Sequence, residues 1–148
     1  MKSVYELAKK FKDKYPGTIC FRLKKHADVV QGYVNDTEEI TYAFCGQKND
    51  KWYDITTSCV VVLTTKRILI GQKRVLFGSY YTQVTPDMYN DLKIYSKLFF
   101  GKVKIDTIKE TITISNLSKK SLDEIETKIS EFMMKEKRKY PLGGPRKD

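Results

Sequence analysis

VVVLTTKRILIGQKR, residues 60–74, holds two apolar segments around the polar group Thr64-Thr65-Lys66-Arg67. Both segments are rich in β-branched residues, which are typical of strands. A short polar group between two such segments is typical of a β-hairpin. The stretch therefore predicts two antiparallel strands joined by a tight reversal.

The four cations of this stretch are candidates for a ligand site. Lys66 and Arg67 fall where the hairpin reverses, and Lys73 and Arg74 fall at the next reversal. A strand of about five residues, at about 3.3 Å per residue, separates the two pairs by roughly 15 Å. This distance is too long for one phosphate group, so the pairs are expected to mark turns first and to contact a ligand only together with residues elsewhere.

Similar short segments bounded by turn residues precede and follow this hairpin. Seven strands are predicted in all, at 39–46, 57–64, 67–71, 74–81, 92–98, 101–107 and 111–115. Their connections are too short for crossover helices, so the sheet is expected to be antiparallel. A strongly twisted sheet of this size tends to curl into a partly open barrel, which leaves a mouth to be closed.

The N-terminal part has helical spacing. Residues 3–6, SVYE, have the form of a capping box, and they predict an amphipathic helix over about 3–15. Residues 18–23 predict either a short strand or an extended linker. Residues 26–34 predict a short second helix.

The C-terminal part returns to helical spacing after the last strand. Residues 121–139 predict an amphipathic helix with a second capping-box sequence from Ser121 to Glu124. Acidic residues lie near its start and basic residues near its end, which suits the helix dipole. Its apolar face is expected to plug the mouth of the barrel.

VVVLTTKRILI resembles the strand-turn-strand signature of bacterial pleckstrin-homology-like (PH-like) domains, in which a Lys-Arg pair lies between two apolar strands. The family commonly has a later Gly-x-x-x-Ile strand, matched here by Gly101 to Ile105, and a final helix. The resemblance covers about residues 35–137. The turn often carries Asn where this chain has Thr65, and a β-branched residue suits positive φ poorly, so the turn type stays open.

The resemblance and the segment order together predict an α+β, mainly β fold. The expected architecture is a seven-stranded antiparallel PH-like partly open barrel, capped by a C-terminal amphipathic helix and preceded by an N-terminal helical extension. The expected organisation is an extension over 1–34, the PH-like domain over 35–139 and a basic flexible tail over 140–148.

The net charge of +10 belongs to the two ends of the chain. Residues 1–25 carry +6, residues 26–134 carry 0 and residues 135–148 carry +4. A neutral body with basic ends predicts one or two cationic edges that could dock on an anionic surface. Nonspecific nucleic-acid binding through these ends is a further alternative, which a gel-shift titration at low and physiological salt tests.

Several functional classes lack support in the sequence. The longest aliphatic run is too short to span a membrane, and no signal peptide is evident, so a cytoplasmic location is expected. Cys20, Cys45 and Cys59 are widely spaced and His26 is the single histidine, which argues against a disulfide framework or a zinc site and favours buried or neutral roles. No phosphate loop, nucleophile elbow or HExxH segment occurs. Neither enzymatic activity nor a metal or cofactor is expected.

The loop at 48–54 decides what kind of binding to expect. Eukaryotic PH domains that hold phosphoinositides place several basic residues on this first hairpin, but residues 52–65 contain no Lys or Arg. The inositol-phosphate pocket of those relatives is therefore not expected. Trp52 and Tyr53 suit a membrane interface or a partner pocket if they are exposed, and Trp52 alternatively covers the barrel mouth as core.

The sequence thus favours a non-catalytic binding module that recognises a protein partner or an anionic membrane surface. A small inhibitor or regulator acting through a strand edge or the Trp52 loop is the alternative. The candidate binding residues are Lys48, Lys51, Trp52, Tyr53, Lys66, Arg67, Lys73, Arg74, Lys135, Lys137, Arg138 and Lys139.

Overall fold

The computed structural model describes residues 2–139, with side chains as far as Lys135. Seven strands and three α-helices lie within these residues. The helices are α1 (Val4–Lys14), α2 (Leu23–Gln31) and α3 (Leu122–Lys139). The strands are β1 (Ile40–Gln47), β2 (Ser58–Thr64), β3 (Ile68–Lys73), β4 (Ser79–Val84), β5 (Tyr89–Ser96), β6 (Gly101–Thr107) and β7 (Thr111–Leu117). Short 3-10 turns lie at Pro86–Met88 and Lys119–Ser121.

The strands form one antiparallel sheet in the order β4-β3-β2-β1-β7-β6-β5. The two halves of the sheet meet where Gln47 of β1 pairs with Ser115 of β7. Strands β4 and β5 are left as its edges. Helix α3 packs against β5 and β6 and buries Ile125 and Ile129 completely. The predicted seven-stranded antiparallel fold with a capping C-terminal helix is confirmed.

The apolar run of β2 is continuous rather than alternating. All seven of its residues are buried. Helices α1 and α2 pack on β1, β2 and β3 and help to bury this part of the sheet. A strand covered on both faces needs apolar residues at successive positions.

Two glycines allow helices to approach the sheet closely. A Cβ on Gly71 of β3 would collide with Val30 of α2, and a Cβ on Gly101 of β6 would lie 2.5 Å from Leu122 Cδ1 of α3. The glycine of the Gly101 to Ile105 motif therefore has a packing role: it seats the start of the capping helix.

The Lys66-Arg67 hairpin turn closes without positive φ. Thr64 N donates to Arg67 O at 2.9 Å, and the Thr64 hydroxyl accepts the amides of Lys66 and Arg67, both at 3.1 Å. Thr65 is not among the residues with positive φ in the described chain. This hydroxyl-closed turn removes the conflict between a β-branched residue and a left-handed conformation.

Several predicted boundaries were wrong. The fourth strand runs over Ser79–Val84 and not 74–81, because Lys73 pairs with Ser79 and residues 74–78 form the connecting loop. The fifth strand ends at Ser96, which leaves Leu98 exposed in a loop. The second helix covers Leu23–Gln31 rather than 26–34, and residues 18–22 belong to neither a helix nor a strand.

The two predicted capping boxes have different outcomes. The box of Ser3 and Glu6 is present at the start of α1, with both reciprocal hydrogen bonds. The box of Ser121 is not formed, because its hydroxyl donates to Ser118 O at 2.7 Å. Glu124 is used elsewhere: its carboxylate accepts hydrogen bonds from Tyr15 at 3.0 Å and Tyr42 at 2.8 Å, and pairs with Lys14. Glu124 thereby ties α3 to α1 and β1.

The cysteines and the histidine are internal, as predicted. All three cysteines are buried and free of disulfides. His26 is buried in α2 and accepts the Lys73 amide at Nδ1 over 2.8 Å, which fastens α2 to the end of β3.

Candidate functional site

The β1–β2 loop (48–57) and the β3–β4 loop (74–78) leave the same end of the sheet. Gln47 pairs with Ser58 at the base of the first loop, and Gln72, just before the second, donates to Ser58 O at 3.1 Å. The Lys48 ammonium lies 4.4 Å from the centre of the Tyr80 ring of β4. We call this region the loop end of the sheet.

The β3–β4 loop carries three adjacent apolar side chains into solvent. Val75 is 69% exposed, Leu76 82% and Phe77 83%. Arg74 N donates to Gly78 O at 3.1 Å, and Gly78 supplies the positive φ of 67° that closes the loop. A folded protein rarely leaves a contiguous group of large apolar side chains uncovered unless it contacts something else.

Two cations precede this apolar loop, and no acidic residue lies close to it in the sequence. Lys73 and Arg74 precede it and are both exposed. The segment 72–79 contains no Asp or Glu. The predicted pair at the second chain reversal therefore lies at the base of an exposed apolar tip, a combination the predicted strand at 74–81 did not anticipate.

The β1–β2 loop holds Trp52 and Tyr53 outside the core. Trp52 is 62% exposed, so the alternative in which it fills the barrel mouth is wrong. The loop is fixed from below, because Asn116 Nδ2 donates to Trp52 O at 2.7 Å and Asn49 Nδ2 donates to Asp54 O at 2.9 Å. Lys51 is exposed beside them and Lys48 is partly buried.

A groove lies between the Trp52 loop and the β5–β6 loop (97–100). The Trp52 and Phe99 rings are 6.3 Å apart, and the cavity between the loops has a volume of about 320 Å³. Its lining residues are Asp50, Trp52, Lys97, Leu98, Phe99, Phe100, Gly101, Lys102, Ser115 and Asn116. We call this cavity the Trp52 groove.

Charges lie at one side of the Trp52 groove. Asp50 pairs with Lys102 and, at 3.2 Å, with Lys104. The hydrogen bond from Lys102 and, to a smaller extent, the one from Lys104 hold the pKa of the Asp50 carboxyl below its usual value, although partial desolvation acts in the opposite direction. Lys97 also lies 5.4 Å from the Tyr95 ring centre. The cations outnumber the acid on this side.

Asn116 has an unusual position in the groove lining. It is completely buried and adopts a positive φ of 58°. Its Oδ1 is the one buried side-chain oxygen or nitrogen without a hydrogen-bond partner among the described residues. Leaving such an acceptor unpaired costs about 1 to 3 kcal/mol.

Arg67 is engaged inside the protein and not available at the surface. Its Nη2 contacts Glu38 Oε1 at 2.8 Å and Tyr33 O at 2.9 Å, while Nη1 reaches Gln83. The side chain of Glu38 is fully buried. Although burial alone raises it, hydrogen bonds from Arg67, the Asn35 amide and the Thr64 hydroxyl lower the pKa of Glu38 to about 2.

Lys66 and Lys135 lie away from the loop end. Lys66 is exposed and donates to Thr37 Oγ1 at 3.1 Å. Lys135 lines a separate shallow cavity with Thr64, Thr65 and Lys128. The side chains of Lys137, Arg138 and Lys139, and the predicted tail 140–148, lie outside the described residues. Helix α1 lies beside α3, and the Lys14–Glu124 ion pair joins them. Nonspecific nucleic-acid binding through the basic ends of the chain stays a prediction.

The sequence did not single out the apolar loop, Phe99 or Asn116. A signal was present for the loop, because Gly78 follows RVLF and glycine commonly closes a turn. No comparable signal marks Asn116, since its burial and its unpaired oxygen arise only from the three-dimensional packing.

Two negative findings bound the chemistry of the described residues. No group of three or more His, Cys, Asp or Glu is placed to hold a metal ion among the described side chains of residues 2–139. No helix in that range is long and apolar enough to cross a membrane.

The seven-stranded antiparallel sheet with its C-terminal helix is a PH-like fold. A family model described as bacterial PH domain matches residues 34–131, and the chain belongs to this family. The fold of this family suggests a non-catalytic binding module.

Two solved structures are similar to this chain. A pleckstrin homology domain from Shewanella amazonensis SB2B has 16% identity and a TM-score of 0.50, and the match covers 74% of this chain and 96% of that one. A DUF1696 family protein with a pleckstrin-homology domain from Shewanella loihica PV-4 also has 16% identity, with a TM-score of 0.47 and coverage of 74% and 95%. The comparison with curated proteins found no match.

Proposed function

We propose that the protein is a peripheral binding module that docks on an anionic membrane surface through its β3–β4 loop. The observation that carries this proposal is the exposed trio Val75, Leu76 and Phe77, preceded directly by Lys73 and Arg74. The apolar tip would enter the interfacial region of the bilayer while the cations contact anionic headgroups. The proposal expects a cytoplasmic protein that attaches peripherally to the membrane.

The magnitudes suit reversible attachment. Removing a Leu, Val or Phe side chain from water contributes roughly 1.5 to 3 kcal/mol when burial is complete. Each Lys or Arg near an anionic leaflet adds about 1 kcal/mol. The apolar tip and the cations together would give stable but reversible docking, whereas either of them alone would give marginal binding. Lys48 and Lys51 on the neighbouring loop would add to the same electrostatic attraction.

Vesicle co-sedimentation tests this proposal. The protein is expected to sediment with phosphatidylcholine vesicles that contain phosphatidylserine, less at high salt, and little with pure phosphatidylcholine. The double variant Leu76→Glu/Phe77→Glu is expected to lose this binding. Ile108→Glu is the matched control, because Ile108 is 66% exposed and lies on the separate β6–β7 turn. Equal sedimentation of the loop variant and the native protein would refute the proposal.

Recognition of a protein partner is the second candidate function, and the exposed Trp52 loop favours it. Large exposed aromatic side chains are typical of partner pockets. Strands β4 and β5 offer sheet edges as another route for a small regulator, although Lys93 and Lys97 on or just after β5 are the kind of charges that discourage strand addition. Affinity capture with the native protein and with Trp52→Ala compares the two routes. Loss of the captured protein in the variant supports the loop, and retention points to an edge.

A further inference from the structure

We infer that the Trp52 groove binds an extended, acidic segment of a partner protein and takes one large apolar side chain of that segment between Trp52 and Phe99. This inference rests on the second candidate function and is independent of membrane docking by the β3–β4 loop. It specifies the chemistry of the partner at the groove.

The walls of the groove suit an apolar anchor. Trp52 and Phe99 are mostly exposed, at 62% and 68%, and their rings are 6.3 Å apart with a tilt of 45°. The cavity of about 320 Å³ lies at the lower end of the range for small-ligand pockets. One leucine, phenylalanine or methionine side chain would cover both rings, and buried anchors of this kind dominate the affinity of interfaces.

The charges beside the groove favour an acidic segment. Lys97, Lys102 and Lys104 surround the Tyr95 ring at 5.2 to 5.7 Å. Asp50, the acidic residue in the lining, already pairs with Lys102 and Lys104. Lys97 is exposed. A carboxylate next to the apolar anchor would complement this surplus of positive charge, whereas a basic segment would be repelled.

Asn116 distinguishes a peptide from a lipid chain. Its buried Oδ1 has no partner in the described structure, while Nδ2 is held by Trp52 O. An acyl chain offers no hydrogen-bond donor, and an ionised carboxylate offers none either. A peptide backbone offers an N–H next to the anchor side chain. A peptide N–H that reaches Oδ1 would remove the cost of leaving this acceptor unpaired.

The probe is a random library of displayed twelve-residue peptides, panned on the full chain and on the Phe99→Ser variant. The expected result is enrichment of peptides with a large apolar residue beside Asp or Glu on the native protein only. Trp52 is the single tryptophan, so a synthetic copy of an enriched peptide should change the fluorescence of Trp52 saturably. Binding to Phe99→Ser should be roughly tenfold weaker or more.

Two controls separate the groove from general charge effects. Lys97→Glu is expected to weaken peptide binding several-fold, whereas Lys109→Glu, at an exposed lysine on the separate β6–β7 turn, is expected to leave it unchanged. Replacing the amide beside the anchor by an ester removes one N–H. This change should weaken binding roughly threefold to tenfold if Asn116 accepts that hydrogen.

The outcomes distinguish this inference from the membrane proposal. Leu76→Glu/Phe77→Glu should bind the peptide normally, and Phe99→Ser should still sediment with anionic vesicles. No enrichment over an empty surface, enrichment of basic peptides, or peptide binding that leaves Trp52 fluorescence unchanged would overturn the inference. Anionic vesicles that displace the peptide from the native protein would assign the groove to the membrane surface instead.

Discussion

The sequence suggests an exposed position for Arg67, but in the fold its guanidinium contacts groups inside the protein. It follows Lys66 in a hairpin turn, where both were candidates for ligand binding. The structure directs its guanidinium back over β4 to the buried Glu38 and to Tyr33 O. The rings of Tyr33 and Tyr81 stack at 3.6 Å beside it. The ion pair thus joins the segment before β1 to the β2–β3 turn.

Glu38→Gln is expected to reduce stability by about 3 kcal/mol, because removing one partner of a buried ion pair leaves the other charge uncompensated. Urea unfolding of the native protein and the variant measures this change. Glu39→Gln is the control, since Glu39 is exposed. A loss no larger than that of the control would contradict the role assigned to the pair.

The pKa of Glu38 also predicts an acid-sensitive stability. The value falls from the ordinary 4.5 to about 2 in the fold. Because the folded carboxyl holds its proton less tightly, the ion pair stabilises the protein above pH 4.5, and this stabilisation is lost as the pH falls toward 2. Glu38→Gln should lack this part of the slope of unfolding free energy against pH.

His26 predicts a separate effect at higher pH. Burial, followed by the nearby charge of Arg22, lowers its pKa from 6.5 to about 4. The unfolded chain therefore takes up a proton first, and stability should decline as the pH falls from 6.5 to 4. The proton NMR signal of the single histidine should titrate near pH 4. A midpoint near 6.5 would show that His26 is not held neutral between α2 and β3.

At the scale of elements, the strands were predictable where burial leaves a regular pattern. Strand β6 alternates buried and partly buried residues, and β2 is apolar throughout because both of its faces are covered. The sequence could not separate the apolar residues of a strand from those of an exposed loop, because RVLF has the composition of both. The register of β3 against β4 decides that case, and register depends on partners distant in the chain.

Gly71→Ala is expected to destabilise the protein by about 1 to 3 kcal/mol, because the added methyl would collide with Val30 of α2. Thermal unfolding measures the change. Gly32→Ala is the matched control, since Gly32 ends α2 in the right-handed helical region and a Cβ there meets only ordinary contacts. Equal stability of the two variants would mean that α2 does not pack on β3 at this distance.

At the scale of the whole molecule, the sequence predicted the scaffold better than the site. Hairpin spacing and the final amphipathic helix were sufficient for the seven-stranded fold, because they depend on local patterns. The loop-end surface depends on how separate loops converge: Trp52 meets Phe99 across 47 positions of the chain. Composition placed positive charge at the chain ends, whereas the structure adds an apolar tip with its own cations at the loop end.

Tryptophan quenching measures directly whether the β3–β4 loop inserts into an anionic bilayer. The Phe77→Trp variant in a Trp52→Phe background places the single tryptophan at the loop tip, and Ile108→Trp in the same background is the control. Vesicles of phosphatidylserine and phosphatidylcholine with brominated acyl chains quench a tryptophan that enters the bilayer. Insertion of the loop predicts strong quenching and a blue shift at position 77 and neither at position 108. Vesicle-bound protein with an unquenched tryptophan at position 77, or no binding of the background protein, would contradict it.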